Sequence, residues 1–192
     1  MQLNSNEISL DFYDEVRSLI QKLIVLNLKM NIDFMELGIA GEIGFCKFLE
    51  KNDIQFTHQT FQEPHRMLED VVALNHKSEE ITIDVKTTHI RPHHAPRILS
   101  IEQFHSIPNH SEIIVWCHFS SRNEIITIDG WTKTSELNES NIKQVAAPPD
   151  FVISYDELID QPFTEKISVY EVPSFLMREV DDLIYFLKGV NL

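Results

Sequence analysis

Asp84 and Lys86 stand two residues apart in a segment, residues 81–88, that is rich in Ile, Val and Thr. This composition is typical of a β-strand, along which successive side chains point to opposite faces. Asp84 and Lys86 are therefore expected on one face, where both can reach the same site, and Ile83 and Val85 on the other. Taken alone, the pair is more typical of a solvated surface strand than of a catalytic centre.

A second carboxylate, that of Asp70, begins the preceding β-type segment, residues 70–74, and the polar residues 75–80 separate it from the strand with Asp84. Two strands joined by a polar turn are typical of a hairpin, which would bring the two carboxylates close together. Neighbouring carboxylates repel each other unless one is protonated or a cation lies between them. Mg²⁺ suits this arrangement, because it takes one or two carboxylates, keeps several waters and accepts phosphate oxygens.

Glu42 interrupts the apolar stripe of a predicted helix, residues 34–51, with Gly38 one turn before it and Phe45 and Cys46 one turn after it. A charged group on a stripe that faces the core requires a partner. The alternative is a residue at the edge of the stripe whose carboxylate reaches water. Because three separate elements provide suitable groups, a shared metal-binding cluster explains Glu42 better than an isolated surface charge does.

The order and spacing of these groups resemble those of the PD-(D/E)xK nuclease superfamily, also called restriction-endonuclease-like. The resemblance covers about residues 34–137. A Gly-Trp segment, IITIDGWTKTSEL, is similar to a strand-turn segment found in several of these nucleases. The residues that carry the resemblance are Gly41 and Glu42 in GIAGEIGFCKFL, Asp70 in EDVVAL, and Asp84, Val85 and Lys86 in ITIDVKTT.

The chain departs from the pattern of this superfamily at three places. Glu69 stands where the superfamily has proline, and Asp84 stands where glutamate is more common. After the third strand, the expected helix is short, about residues 100–106, and the proline-containing loop 89–98 precedes it. None of these departures removes a catalytic group. The resemblance therefore implies an α/β restriction-endonuclease-like fold, with a mixed β-sheet flanked by helices.

The resemblance also implies an activity, the hydrolysis of DNA phosphodiester bonds by a metal-dependent endonuclease of restriction, phage or mobile-element type. Asp70, Asp84 and the main-chain carbonyl of Val85 would bind Mg²⁺, with Mn²⁺ as a substitute. Glu42 would bind a second metal ion or order a metal-bound water. Lys86 would orient or help to deprotonate the attacking water and stabilise the charge that develops on the phosphate. The products would carry a 5′-phosphate and a 3′-hydroxyl.

Four further residues, Thr87, Thr88, Arg91 and Arg97, are candidates for contacts with the phosphates of double-stranded DNA. β-propensity explains the two threonines equally well. The histidines within residues 89–94 are interpreted as part of an exposed loop, with a zinc or nickel site as the less favoured alternative.

The net charge of −14 is unusual for a protein that binds nucleic acid, since phosphate contacts favour basic surfaces. The acidic side chains concentrate in residues 1–55 and 134–192, whereas residues 86–110 carry three basic side chains and one acidic one. A locally basic stretch beside an acidic metal site can still follow a phosphate backbone.

Two other classes of function remain open. One is a degenerate nuclease fold that serves as a non-catalytic binding or assembly module, and the presence of all four polar groups argues against it. The other is an acidic mimic of DNA that inhibits a DNA-binding partner, which the net charge suggests. A mimic has no need of Lys86 beside Asp84.

The elements that would position these groups are those of a single α/β domain, residues 1–192, with its core at about residues 34–137 and a C-terminal strand and helix packed on it. The apolar periodicity and turn signals predict these elements further along the chain. The predicted helices are 10–29, 34–51, 100–106 and 174–188, the last with Ser174 as its N-cap; the predicted strands are 54–61, 70–74, 81–88, 112–119, 124–130 and 167–172, and a further segment of unassigned type is 154–160.

The remaining features indicate a cytoplasmic protein with reduced thiols. Cys46 and Cys117 lie in apolar runs and are expected to be buried and unpaired. No apolar run reaches the length of about 18 residues that a membrane span needs, and the first residues lack the pattern of a signal peptide. Double-stranded DNA is the expected partner, and a homodimer is an option.

Overall fold

The computed structural model describes residues 4–9, 14, 16–18, 20–21, 32–59, 69–89, 97–120, 125–146 and 166–189. These residues form a mixed α/β structure in which a curled mixed sheet is flanked by helices. The helices are α1, Ile32–Lys51; α2, Ile101–Ser106; and α3, Val180–Lys188. The strands are β1, Glu7–Ser9; β2, Phe56–His58; β3, Val71–Leu74; β4, Glu80–Thr88; β5, Ile98–Ser100; β6, Ile113–Ser120; β7, Ile125–Lys133; β8, Ile142–Ala146; and β9, Lys166–Glu171.

The larger sheet has six strands in the order β1-β7-β6-β4-β3-β2. β4 and β6 run parallel, while the other neighbouring pairs are antiparallel. A parallel pair needs a long connection, and β5, α2 and a short 3₁₀ helix lie along the chain between β4 and β6. β5, β9 and β8 form a second, antiparallel sheet. The strand that carries Asp84 and Lys86 is therefore an interior strand of the larger sheet.

The predicted hairpin of residues 70–74 and 81–88 is confirmed, because β3 pairs antiparallel with β4 and Val71 lies opposite Ile83. Asn75 closes the turn between the two strands. Its side-chain oxygen accepts hydrogen bonds from two main-chain N–H groups of the turn, at 2.9 and 3.0 Å. The polar residues that predicted the turn therefore also stabilise it.

Helix α1 packs on the face of β4 that carries Ile83 and Val85, two side chains that the strand alternation predicted to share a face. Gly41 marks a close approach of the helix to the strand. A Cβ atom at this position would lie 1.7 Å from Oγ1 of Thr87, so only glycine permits the observed contact. The approach brings the next residue of the helix, Glu42, to the same end of β4.

Helix α2 lies on the opposite side of the larger sheet, as part of a smaller apolar cluster. Phe104 stacks on Tyr170 of β9, with ring centroids 4.5 Å apart, and packs with Ile114 and Trp116 of β6. The helix predicted at residues 100–106 is present at Ile101–Ser106, and Ser100 is its N-cap and forms a capping box with the first turn.

The C-terminal helix is shorter than the predicted 174–188, and the prediction of Ser174 as its N-cap is wrong. A 3₁₀ helix, Ser174–Leu176, comes first, and α3 begins only at Val180. Between them, the main chain of Arg178 pairs with a residue of β7, through hydrogen bonds of 2.9 and 3.1 Å. A backbone that pairs with a strand in this way cannot belong to a helix, which is why the helix starts later.

The β7 residue that pairs with Arg178 is Trp131, the tryptophan of the Gly-Trp segment. Gly130 makes this pairing possible, because a Cβ atom there would lie 2.5 Å from the carbonyl oxygen of Arg178. Its φ of +150° also favours glycine. The Trp131 indole N–H donates to the carbonyl of Glu179 at 3.2 Å. The segment thus fixes the chain that leads into α3.

Several predictions concern residues outside the described part. The segment 154–160, the last residues of the predicted strand 54–61 and most of the predicted helix 10–29 lie there, although the described residues 14, 16–18 and 20–21 are helical. The short strands β1, β5 and β8 were not predicted. Within the described part, no helix is long and apolar enough to cross a membrane. Cys46 and Cys117 are buried and free, as predicted.

Candidate functional site

Asp70 directly precedes β3 and is held against β4 by two hydrogen bonds. Its main-chain N–H donates to the carbonyl of Ile83 at 3.0 Å. Its side-chain Oδ2 accepts the main-chain N–H of Val85 at 2.7 Å. The two bonds span Asp84, so the hairpin brings together the two aspartates that the sequence analysis predicted to be neighbours.

Asp84 and Lys86 point to the same face of β4 and form an ion pair. The Lys86 ammonium lies 2.5 Å from Oδ1 of Asp84, and the Asp84 side chain is only 7% exposed. On the other side of this carboxylate, Nε2 of His110 lies 3.9 Å from Oδ2. Both carboxylate oxygens therefore face a basic group.

Glu42 reaches the site from α1 and is 8% exposed. Its Oε2 lies 2.7 Å from Nε2 of His58, the last residue of β2. His58 is opposite Val71 in the β2–β3 pairing, and Asp70 directly precedes Val71. The helix residue, the end of β2 and the start of β3 therefore meet at one end of the hairpin.

The two aspartates have opposite pKa shifts. Burial raises the pKa of Asp70 well above its usual range, and the carboxylates of Glu42 and Asp84 raise it further, against Lys86 and the Val85 hydrogen bond. Burial also acts to raise the pKa of Asp84, but Lys86 and then His110 outweigh it and lower that pKa. The site thus holds one stable carboxylate and one whose charge is disfavoured without a further cation.

The Lys86 side chain keeps its positive charge in this environment. Burial acts to lower its pKa, but the carboxylates of Asp84, Asp70 and Glu42 outweigh burial and raise it. The charges of these three carboxylates and of the lysine therefore influence one another.

Asp70 and Asp84 offer the kind of oxygen ligands that Mg²⁺ requires. Among the described residues, no group of three or more His, Cys, Asp and Glu side chains is arranged as ready ligands of one ion. Mg²⁺ needs only one or two protein carboxylates and fills its remaining positions with water and substrate. Two aspartates, one of them with a charge that its neighbours disfavour, are chemically compatible with such an ion.

Three of the four residues predicted to contact DNA lie in the described part of the structure. Thr87 points toward Gly41 of α1, and its hydroxyl is buried without a hydrogen-bond partner among the described residues. Thr88 is half-buried at the end of β4. Arg97 pairs with Asp129 of β7 at 3.5 Å. Arg91 lies outside the described residues, as do all but His89 of the histidines predicted to form a loop.

Two residues of the site, His58 and His110, were not assigned a role from the sequence. Neither stands at a spacing that connects it with Glu42 or Asp84, since His58 comes from a different strand and His110 from the connection after α2. Only the fold brings them to the carboxylates. For His110 the one available signal was the histidine-rich composition of residues 86–110, and His58 had no such signal.

Comparisons of the chain with protein-family models, with curated proteins and with solved structures gave no match. The function is therefore inferred from the residues of the site itself, whose geometry and electrostatics carry more weight than a fold class does.

Proposed function

We propose that this protein is a magnesium-dependent endonuclease that hydrolyses phosphodiester bonds of double-stranded DNA, built on a restriction-endonuclease-like fold. The observation that carries the proposal is the position of Asp70 against Asp84 across the β3–β4 hairpin, with Lys86 paired to Asp84. The interior strand β4, its hairpin with β3 and the approach of α1 at Gly41 support the fold assignment.

The residues that would hold the metal ion are Asp70 and Asp84, together with the main-chain carbonyl of Val85. A bound Mg²⁺ would polarise the scissile phosphate and favour ionisation of water near it. Asp70 is suited to this role because its charge, which its neighbours disfavour, would be stabilised by the ion. Mn²⁺ is expected to substitute, since it also accepts oxygen ligands.

Lys86 and Glu42 would act on the water and on the phosphate. Lys86 remains an ammonium, so it can donate a hydrogen bond to the attacking water or to a phosphate oxygen. Donors that meet the charge developing in the transition state contribute more to rate than to binding. Glu42, held by His58, would orient water on the side of Asp70.

The experiment that tests this function is the nicking of supercoiled plasmid DNA in Mg²⁺, repeated with EDTA. We expect cleavage in Mg²⁺ and none in EDTA. Asp84→Asn is expected to abolish cleavage while the circular dichroism spectrum stays that of the wild type, because an oxygen-ligand site weakens sharply when it loses one charge. Asp181→Asn, at an exposed position of α3, is the matched control and should cleave normally.

Cleavage by Asp84→Asn at the wild-type rate would contradict the assignment of the metal site. An absence of cleavage by the wild type on any DNA or RNA tested would favour the non-catalytic binding module instead.

A further inference from the structure

The histidine beside Glu42 lies outside the set of four residues that define the proposed catalytic site. His58 Nε2 and Glu42 Oε2 are 2.7 Å apart, a distance typical of a hydrogen bond to a charged acceptor. The His58 side chain is 10% exposed and that of Glu42 is 11% exposed. Water is therefore largely excluded from this contact, which joins α1 to the edge strand β2.

We propose that His58 is a positioning residue that holds the Glu42 carboxylate toward Asp70 and thereby sets how tightly the site binds a divalent cation. The inference rests on the metal site of the proposed function and deepens it. His58 itself contacts neither substrate nor reacting atoms in this role.

The sheet register explains how His58 reaches this position. Cross-strand pairs in an antiparallel sheet point to the same face, so His58 shares the face of its partner Val71, which lies in the core beneath α1. The N–H of the next residue, Gln59, donates to the carbonyl of Asp70 at 2.9 Å. The backbone that carries His58 is thus tied to the residue whose charge Glu42 influences.

A glutamate side chain has several rotatable bonds, and its carboxylate needs an external partner to stay in one orientation. Groups in contact with a metal ion or its water are commonly oriented in this way by a hydrogen-bonded partner, and loss of such a partner typically weakens metal affinity or activity by about 10- to 100-fold. His58 is placed to do this for Glu42. For this role, the His58 imidazole and the Glu42 carboxylate need only share one proton in a hydrogen bond.

The test compares His58→Phe with His58→Gln. Phenylalanine keeps a ring of similar size but removes the hydrogen-bonding nitrogen, whereas the glutamine amide can place an N–H group near the position of Nε2. His105→Phe is the matched control, because His105 is exposed on α2 and contacts the ring of Phe104. Binding of Mg²⁺ is measured by calorimetry and by its effect on the melting temperature, and plasmid nicking is measured over a range of Mg²⁺ concentrations.

We expect His58→Phe to bind Mg²⁺ about 10- to 100-fold more weakly and to need a correspondingly higher Mg²⁺ concentration for half-maximal nicking. The KM for DNA should stay unchanged, and His58→Gln should recover most of the metal affinity. A histidine that only stabilises the fold would lower the melting temperature in EDTA without changing the affinity for Mg²⁺.

A folded His58→Phe variant that binds Mg²⁺ as the wild type does would overturn the positioning role and leave the nuclease proposal intact. Wild-type protein that binds Mg²⁺ in a His58-dependent way but cleaves no nucleic acid would support the positioning role and contradict the nuclease. Failure of both variants to fold would show a structural pair and overturn the role. Wild-type protein that binds no Mg²⁺ would overturn both proposals.

Discussion

Asp70 and Asp84 show how the surroundings of a residue decide its chemistry. Both are aspartates of one hairpin, yet the pKa of Asp70 is raised by burial and neighbouring carboxylates, while the ammonium of Lys86 holds the pKa of Asp84 down. A pair of this kind gives a site one stable anion and one anion that seeks a cation. The asymmetry follows from the two basic groups beside Asp84, Lys86 and His110, and from the carboxylates of Glu42 and Asp84 around the buried Asp70.

A third aspartate, Asp129 of β7, lies outside the proposed site and provides a test of the electrostatics. Burial raises its pKa to about 6, although Arg97 acts in the opposite direction. A carboxyl whose pKa is raised in the folded state binds a proton more tightly there than in the unfolded chain. Its contribution to stability is therefore lost as the pH rises from about 4 to about 6.

We expect Asp129→Asn to remove this loss. The difference in free energy of unfolding, variant minus wild type, should increase by up to about 3 kcal/mol between pH 4 and pH 7. The measurement is urea unfolding at several pH values, with Asp181→Asn as the control. A difference between variant and wild type that does not change with pH would show that Asp129 titrates normally.

The residues of the site were predictable to the extent that local periodicity positions them. The two-residue spacing of Asp84 and Lys86 and the polar turn after residue 74 were sufficient to place Asp70, Asp84 and Lys86 together. The contact between Glu42 and His58 was not predictable, because it depends on the register of β2 and on the position of α1 above it.

At the scale of elements, the close approach of α1 to β4 is what brings Glu42 to the site. Gly41 lies against Thr87, whereas a Cβ atom at Gly38 would meet no atom within 4 Å. The same substitution at these two positions of one helix therefore separates the effect of close packing from that of helix propensity.

We expect Gly41→Ala to lower the free energy of unfolding by about 1–3 kcal/mol, because the helix has to move away from Thr87. The shift should also displace Glu42 and weaken Mg²⁺ binding. Gly38→Ala should raise the free energy of unfolding by about 0.4–1 kcal/mol, since alanine restricts the unfolded chain more than glycine does. Chemical denaturation of both variants is the measurement, and equal effects of the two substitutions would contradict the packing argument.

Elements with a strong local signal were predicted, and those that depend on distant pairing were not. α1 follows from its apolar periodicity and the β3–β4 hairpin from its polar turn, and the short helix α2 lies where the sequence predicted one. β1 and β5 have three residues each and are strands because β7 and β9 pair with them. The late start of α3 likewise depends on Trp131, far away in the sequence.

For the whole molecule, the net charge of −14 favours the binding of cations and opposes the binding of DNA. A divalent ion at Asp70 and Asp84 would reduce the local negative charge where the phosphate has to approach. Metal binding is therefore expected to stabilise the folded protein and to precede productive contact with DNA.

We expect Mg²⁺ at about 100 times its dissociation constant to stabilise the protein by about 2.7 kcal/mol, which is a rise in melting temperature of roughly 5–10 °C. Glu42→Gln should reduce this rise. Glu50→Gln, on the exposed side of the same helix, is the matched control, and NaCl at equal ionic strength accounts for screening. A melting temperature that is insensitive to Mg²⁺ would count against a shared metal site.

The most direct test of the proposed nuclease combines binding and cleavage by the wild type and Lys86→Ala, with gel shifts in Ca²⁺ and nicking in Mg²⁺. A lysine that acts in the transition state contributes little to ground-state affinity, so the variant should bind DNA nearly as well as the wild type but nick it about 100- to 1,000-fold more slowly. A DNA mimic would neither bind nor cleave, and a binding module would bind regardless of metal and of Lys86. Equal nicking rates for the two proteins would remove Lys86 from the mechanism, and no nicking by the wild type would contradict the nuclease.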